Sequence, residues 1–152
     1  MSIEEKLNQL GISLPPASTP AGAYLPAVEC GKLVFVSGQL PMFNGKVQFA
    51  GKVGREVNLE QAQEAARLCA VNALAVLKTQ LGSLDMIRRI VRLEIFVNSA
   101  ESFTEQAQVA NGASNLFGEI FGDAGPHARL TVGVAELPLG AAVELALIAE
   151  IK

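Results

Sequence analysis

The sequence predicts a single α+β domain in which a mixed β-sheet carries two long helices on one face. Three observations predict it. The chain has 152 residues, half of them hydrophobic, which is enough to enclose one core. Its apolar residues follow a period of two near both ends and a period of 3.6 in two long stretches between them. The resulting order is short helix, β-hairpins, α, β, α, β, β, and two helices that follow strands of one sheet pack on the same face of it.

Ser2 to Leu10 reads as a short helix. Ser2 and Glu5 have capping-box spacing, Ile3, Leu7 and Leu10 share a face, and Gly11 suits the left-handed position after the last turn. The segment from Ser13 to Pro26 contains Pro15, Pro16, Pro20 and Pro26 and reads as an extended surface connector. Ala27 to Ser37 reads as a hairpin turning at Gly31-Lys32, and Gly38 to Pro41 as the break that ends its second strand. Asn44-Gly45 marks a second hairpin turn.

From Asn58 the period lengthens. Asn58 and Gln61 form another capping box, and Ala62, Ala66, Cys69, Ala73 and Leu77 make a stripe that runs to Gly82. Small residues on that stripe let the helix lie close to the sheet. The strand Ile90 to Val97 then presents Val91, Leu93, Ile95 and Val97 on one face. A second long helix, Glu105 to Phe121, carries Ala110, Ala113, Phe117 and Ile120 in register. After the Gly122–Gly125 loop come strands Ala128 to Val134 and Val143 to Ile151, joined at Leu137–Gly140. With both long helices on one face, only the short first helix remains to cover the other, so a second copy of the sheet is the expected cover and a closed oligomer the expected assembly.

Lys and Arg number 12 against 15 Asp and Glu, a formal charge of −3, and the densest basic run (Arg88, Arg89, Arg92) alternates with apolar residues. This excludes nucleic acid as the main partner. No apolar stretch approaches a membrane span and the N-terminus lacks a signal-peptide pattern, so a cytoplasmic protein with no membrane partner is expected. Cys30 and Cys69 have no metal-ligand spacing and read as buried free thiols. Walker, dinucleotide, zinc and nucleophile-elbow motifs are absent, so no cofactor and no metal are expected.

The informative polar residues lie in the last two strands. Alternation puts Arg129 and Thr131 opposite Leu130 and Val132, and sets Glu144 among Ala142, Ala146 and Ile148. A guanidinium can grip a small carboxylate by two parallel hydrogen bonds, and a nearby carboxylate can act on a water as general base and then as acid. Equally, Arg129 could line a solvated strand edge and Glu144 could pair with a surface cation. His127 is the only histidine and Tyr24 the only tyrosine. The histidine suits proton transfer or a loop contact, and the tyrosine a pocket hydroxyl or loop packing. Asn111-Gly112 falls inside the second long helix, where both residues cost helix stability, which indicates either a close packing contact or a polar role.

Several of these stretches resemble one family. Gly22-Ala-Tyr-Leu-Pro-Ala-Val28 with Leu33-Val-Phe-Val-Ser-Gly-Gln-Leu-Pro41 resembles the opening of the RidA/YjgF reactive-intermediate deaminases, also called the endoribonuclease L-PSP family. Phe96-Val97 resembles the family's middle strand. Ala128-Arg129, Val134-Ala-Glu-Leu-Pro138 and Val143-Glu-Leu-Ala-Leu-Ile-Ala149 resemble its C-terminal signature. The resemblance implies a chorismate-mutase-like fold and a homotrimer whose sheets form a central barrel, with clefts between subunits. It also implies hydrolysis of 2-aminoacrylate-like enamines and imines to 2-keto acids and ammonia, without cofactor, as by a 2-iminobutanoate/2-iminopropanoate deaminase.

Carried onto this chain, the resemblance makes Arg129 the carboxylate-binding arginine and Glu144 the acid beside the attacking water, with Tyr24, Thr131, Asn111 and His127 lining the substrate site. The sequence departs from the deaminase pattern at Ala23, where proline is usual, and at Thr131, where cysteine is common. The Asn98–Ala110 stretch is longer and the N-terminal helix is additional. These departures set it in a separate subgroup, for which a non-catalytic trimeric carboxylate-binding or regulatory module is the alternative function.

Overall fold

The computed structural model describes residues 1–152. In chain order it forms α1 (Ile3–Gln9), β1 (Ala27–Cys30), β2 (Leu33–Gln39), β3 (Met42–Phe43), β4 (Lys46–Val47), α2 (Leu59–Leu81), β5 (Ile87–Asn98), α3 (Gln106–Phe121), β6 (Ala128–Val134) and β7 (Val143–Ile151). The main sheet has the order β1-β2-β7-β5-β6, while β3 and β4 pair as a separate small hairpin. Only β5 and β6 run parallel, joined through α3; every other pairing is antiparallel. The sheet is therefore mixed, as expected.

Both capping boxes form. Ser2 and Glu5 close the first turn of α1, and Asn58 and Gln61 that of α2. The stripe of α2 is wider than the sequence suggests, with Ala62, Ala65, Ala66, Cys69, Ala70, Ala73, Leu74 and Leu77 all buried, because the helix packs against the sheet and against α3 at once. Facing it lie Val34 and Val36 from β2, Leu93, Ile95 and Val97 from β5, and Val143, Leu145, Leu147 and Ala149 from β7, within one core of 32 buried residues.

Two expectations about strands are corrected. The alternation Val91-Leu93-Ile95-Val97 breaks at its first member, since β5 starts at Ile87 and shifts register between Ile87 and Arg89 and again between Ile90 and Arg92. Ile87 and Ile90 take the core positions, and Val91 is only partly buried. Nor does Gly38 end β2: the strand continues to Gln39 through an irregularity between Val36 and Gln39. Among the cysteines, Cys69 is buried but Cys30, at the tip of the β1–β2 hairpin, is exposed.

α1 docks on the helix layer. Asp85 Oδ1 accepts from the Ile3 N–H at 2.8 Å, and Glu4 bonds Lys78 of α2 at 2.5 Å and the Leu84 N–H at 3.2 Å. Burial alone would raise the Glu4 carboxyl, but Lys78 and the backbone N–H groups outweigh it and hold it below its ordinary value. The second face of the sheet is thus left without a helix. Pairing register puts Val28, Phe35 and Ile148 in one row across it, then Ala146, Glu94 and Leu130, then Glu144, Phe96 and Val132. Val28, Phe35 and Leu130 are each more than 40% exposed there, which concentrates apolar side chains on that face. No helix is long and apolar enough to cross a membrane.

Candidate functional site

Glu144 is the second residue of β7. Its neighbours Val143 and Leu145 point into the core, so the pleat sends Glu144 to the open face. Across the β2 irregularity stands Gly38, where a Cβ would lie 2.2 Å from Glu144 Oε1. Glycine at that position leaves room for the carboxylate. The cleft around it measures about 350 Å³ and is lined by Ser18, Thr19, Tyr24, Gln39 and Leu139 among others. Its walls are tied together: the Ser37 hydroxyl donates to the Leu25 carbonyl at 2.6 Å, and Ser18 to Gln39 Oε1 at 3.2 Å. Tyr24 stands 53% exposed at the rim. Burial pushes the Glu144 carboxyl above its ordinary value, and no donor or cation of its own chain offsets that burial.

Arg129 lies in β6 on the helix-covered side, at the sheet edge. Its Nη1 donates to Asn111 Oδ1 at 2.9 Å and to Ser114 Oγ at 3.0 Å, and its Nη2 donates to the Ala107 carbonyl at 3.3 Å. Residues 107, 111 and 114 follow i, i+4, i+7 spacing, so they form one polar line on α3. Three of the five guanidinium N–H groups are thereby engaged. The Nε–H and one Nη2–H have no hydrogen-bond partner within the chain.

The question posed by Asn111-Gly112 resolves into both of its answers. Asn111 takes the arginine, and a Cβ on Gly112 would lie 2.0 Å from the Gln63 carbonyl oxygen of α2, so α3 rests directly on the backbone of its neighbour.

His127 belongs to the same cluster, with Nε2 2.9 Å from Ser114 Oγ and Nδ1 2.6 Å from the Gly125 carbonyl oxygen. Thr131, two residues beyond Arg129 on the same face, has a buried hydroxyl with no hydrogen-bond partner. A buried hydroxyl left so costs about 1–3 kcal/mol.

Arg129 and Glu144 do not meet within one chain. Leu93, Ile95 and Val97 face the helices, and their β6 partners are Arg129, Thr131 and Gly133. Phe96 faces the other way and pairs with both Val132 and Glu144. The structure therefore gathers Arg129, Asn111, His127 and Thr131 on one side of the sheet, and Tyr24 and Glu144 on the other.

Sequence reasoning missed Ser114 as a site residue, although its i, i+3 spacing from Asn111 was a usable signal. It also missed Lys52, whose ammonium bonds Asn98 Oδ1 at 2.8 Å and the Ala135 carbonyl and pairs with Glu136 at 3.3 Å, pinning the loop after β6.

A family model described as "YjgF/chorismate_mutase-like, putative endoribonuclease" matches residues 4–151. Protein TCP17 of Trypanosoma cruzi is 45% identical over 99% of this chain and 94% of its own length. A 2-iminobutanoate/2-iminopropanoate deaminase of Dermatophagoides farinae is 32% identical over 88% of this chain and 90% of its own. The crystal structure of Atu1372 from Agrobacterium tumefaciens, described as of unknown function, superposes with a TM-score of 0.91 at 48% identity, covering 99% of this chain and 92% of that one. On the fold, the matched length and these similarities, the chain belongs to the RidA/YjgF family.

Proposed function

We propose that this protein hydrolyses small 2-imino and 2-enamino carboxylates to 2-keto acids and ammonia, in clefts where the Arg129 edge of one copy meets the Glu144 pocket of another. The observation that carries this reading is the state of Arg129. Its guanidinium is held by three hydrogen bonds, has no acidic partner in its own chain, and keeps open the Nε/Nη2 edge that accepts a carboxylate by two parallel bonds. Glu144 is the complementary half, a half-buried acid that nothing in its chain neutralises.

A homotrimer with its open sheet faces packed into a central barrel would cover the exposed Val28–Phe35–Ile148 row and could bring the two halves together. The similarity to the mite deaminase supports the reaction class.

In the proposed reaction Arg129 fixes the carboxylate, so the imine carbon is presented to a water in the Glu144 cleft. Glu144 takes a proton from that water as its oxygen bonds to the carbon of the protonated imine, whose C=N pair moves onto nitrogen, giving a neutral carbinolamine. It then returns that proton to the nitrogen; the C–N bond breaks with its pair leaving on ammonia, the hydroxyl oxygen closes the C=O bond, and its proton is released to solvent. Tyr24 supplies a hydroxyl at the rim of the cleft, and Thr131 packs behind Arg129 in β6.

The test couples the protein to a serine or threonine dehydratase and follows keto-acid formation. Acceleration by wild type that is lost in Arg129→Ala, with the oligomer intact, supports the reading. Undiminished activity in Arg129→Ala, or a protein that remains a single chain in solution, refutes it.

A further inference from the structure

The contacts behind Arg129 form a directed chain. The Gly125 carbonyl can only accept, so the ring nitrogen 2.6 Å away, His127 Nδ1, carries hydrogen. A ring with one proton then has Nε2 free to accept, and Ser114 Oγ, at 2.9 Å, donates to it. The same oxygen accepts from Arg129 Nη1 at 3.0 Å, so it donates once and accepts once, and no donor in the line faces another donor. A ring protonated on Nε2 as well would aim a second cationic donor at the oxygen that already receives the arginine.

The line is held at its far end. The Phe117 ring meets the imidazole edge-on at a centroid distance of 6.2 Å. A Cβ on Gly125 would lie 2.5 Å from the Phe117 carbonyl oxygen, so the loop carrying the accepting carbonyl is seated against α3 itself.

We infer that Ser114 and His127 are positioning residues for Arg129: the relay Gly125 C=O, His127, Ser114 fixes the rotation of the guanidinium so that its Nε/Nη2 edge, and not its Nη1 end, is presented to the substrate carboxylate. This deepens the proposed function and rests on reading Arg129 as the carboxylate-binding group. Without Ser114 the Nη1 end has one acceptor fewer, and the planar group can turn about its last bonds and offer either edge. Loss of the relay would then weaken recognition of a planar carboxylate more than that of its uncharged amide. A residue that merely supports the fold would weaken both alike.

The experiment has two readouts. Because the chain has a single histidine, nitrogen NMR of the 15N-histidine-labelled protein reports His127 alone. Hydrogen on Nδ1 with an unprotonated, hydrogen-bonded Nε2 is expected, and a proton on Nε2 overturns the relay. Calorimetric titration with pyruvate and with pyruvamide is then compared across wild type, Arg129→Ala, Ser114→Ala, His127→Phe and His127→Gln.

Ser114→Ala and His127→Phe should lower the pyruvate-over-pyruvamide preference by about tenfold, the order of one hydrogen bond to a charged group. His127→Gln, which keeps an acceptor near the Nε2 position, should recover most of it. Preference lost in Arg129→Ala but unchanged in Ser114→Ala and His127→Phe overturns the relay and leaves the carboxylate reading standing. Preference retained in Arg129→Ala refutes the carboxylate reading itself, and the relay with it.

Discussion

Replacing Gly112 by alanine puts a methyl group where the structure has none to spare. The added Cβ would sit 2.0 Å from the Gln63 carbonyl oxygen, 2.7 Å from its carbon and 2.9 Å from its Cα. These are backbone atoms of α2, so no side-chain rotation relieves the clash, and the two helices must separate by about 1 Å or more to reach ordinary contact. Overpacking of this kind costs about 1–3 kcal/mol and occasionally more, and separation also thins the dispersion contacts of Ala110 and Ala113 with α2. Against this stands a gain of about 1 kcal/mol in helix propensity from glycine to alanine.

Gly118 supplies the control. It lies on the same helix, is exposed, and a Cβ there meets nothing within 4 Å, so Gly118→Ala shows the propensity gain alone. Urea unfolding followed by far-ultraviolet circular dichroism, at one fixed chain concentration, should give Gly118→Ala a gain of about 0.5–1 kcal/mol and Gly112→Ala a net loss of about 2 kcal/mol. In thermal unfolding that loss is roughly 4–8 °C for a chain of this size. Equal or stabilising effects at both positions would show that α3 does not rest on the α2 backbone, and that the Asn111 placement built on that contact is wrong.

Three other outcomes test the remaining parts. Glu144→Gln should cut deamination by about 10²–10⁴-fold, measured in the dehydratase-coupled assay. Its carboxyl is raised by burial, so the folded chain holds that proton more tightly than the unfolded chain does. Wild-type stability is therefore eroded as pH rises from the unfolded value through the folded one, and Glu144→Gln should be the more stable protein at neutral pH but not in acid, by unfolding at several pH values. Gly38→Ala should lower activity at least tenfold with little loss of stability, because the new methyl displaces the flexible end of Glu144 and no backbone; a normal rate would mean that the carboxylate position is unimportant. Asn72→Ala removes two hydrogen bonds, to the Leu40 and Met42 carbonyls at 3.0 and 3.1 Å, from a nearly buried side chain. It should cost about 2 kcal/mol in urea unfolding.

Much of the architecture was legible because it is written locally. Ser2 with Glu5 and Asn58 with Gln61 mark helix starts, the spacing of small residues gives the buried side of α2, and alternation in β7 isolates Glu144. What stayed hidden depends on partners remote in sequence. Alternation shows that Arg129 and Thr131 share a face, and that Glu144 opposes its own neighbours, but only the pairing of β5 with both β6 and β7 shows that these are opposite sides of the sheet. Val91 was misplaced because a bulge leaves no mark in a pattern of apolar residues. Gly38 looked like a strand end because a glycine that clears space for a distant side chain is indistinguishable, within the sequence, from one that breaks a strand.

The two halves of the proposed site differ in how far along the chain their parts are drawn. Everything that holds Arg129 comes from one unbroken stretch, from Ala107 through α3 to β6, closed by short loops. The Glu144 pocket joins residues 18–42 to residues 138–144, which α2, β5, α3 and β6 separate along the chain. Closing so long a loop is entropically slow, so the arginine cradle should gain amide protection early in refolding while the acid pocket waits for β7 to dock between β2 and β5. A newly made chain would thus hold a finished anion grip before it possesses the group that activates water.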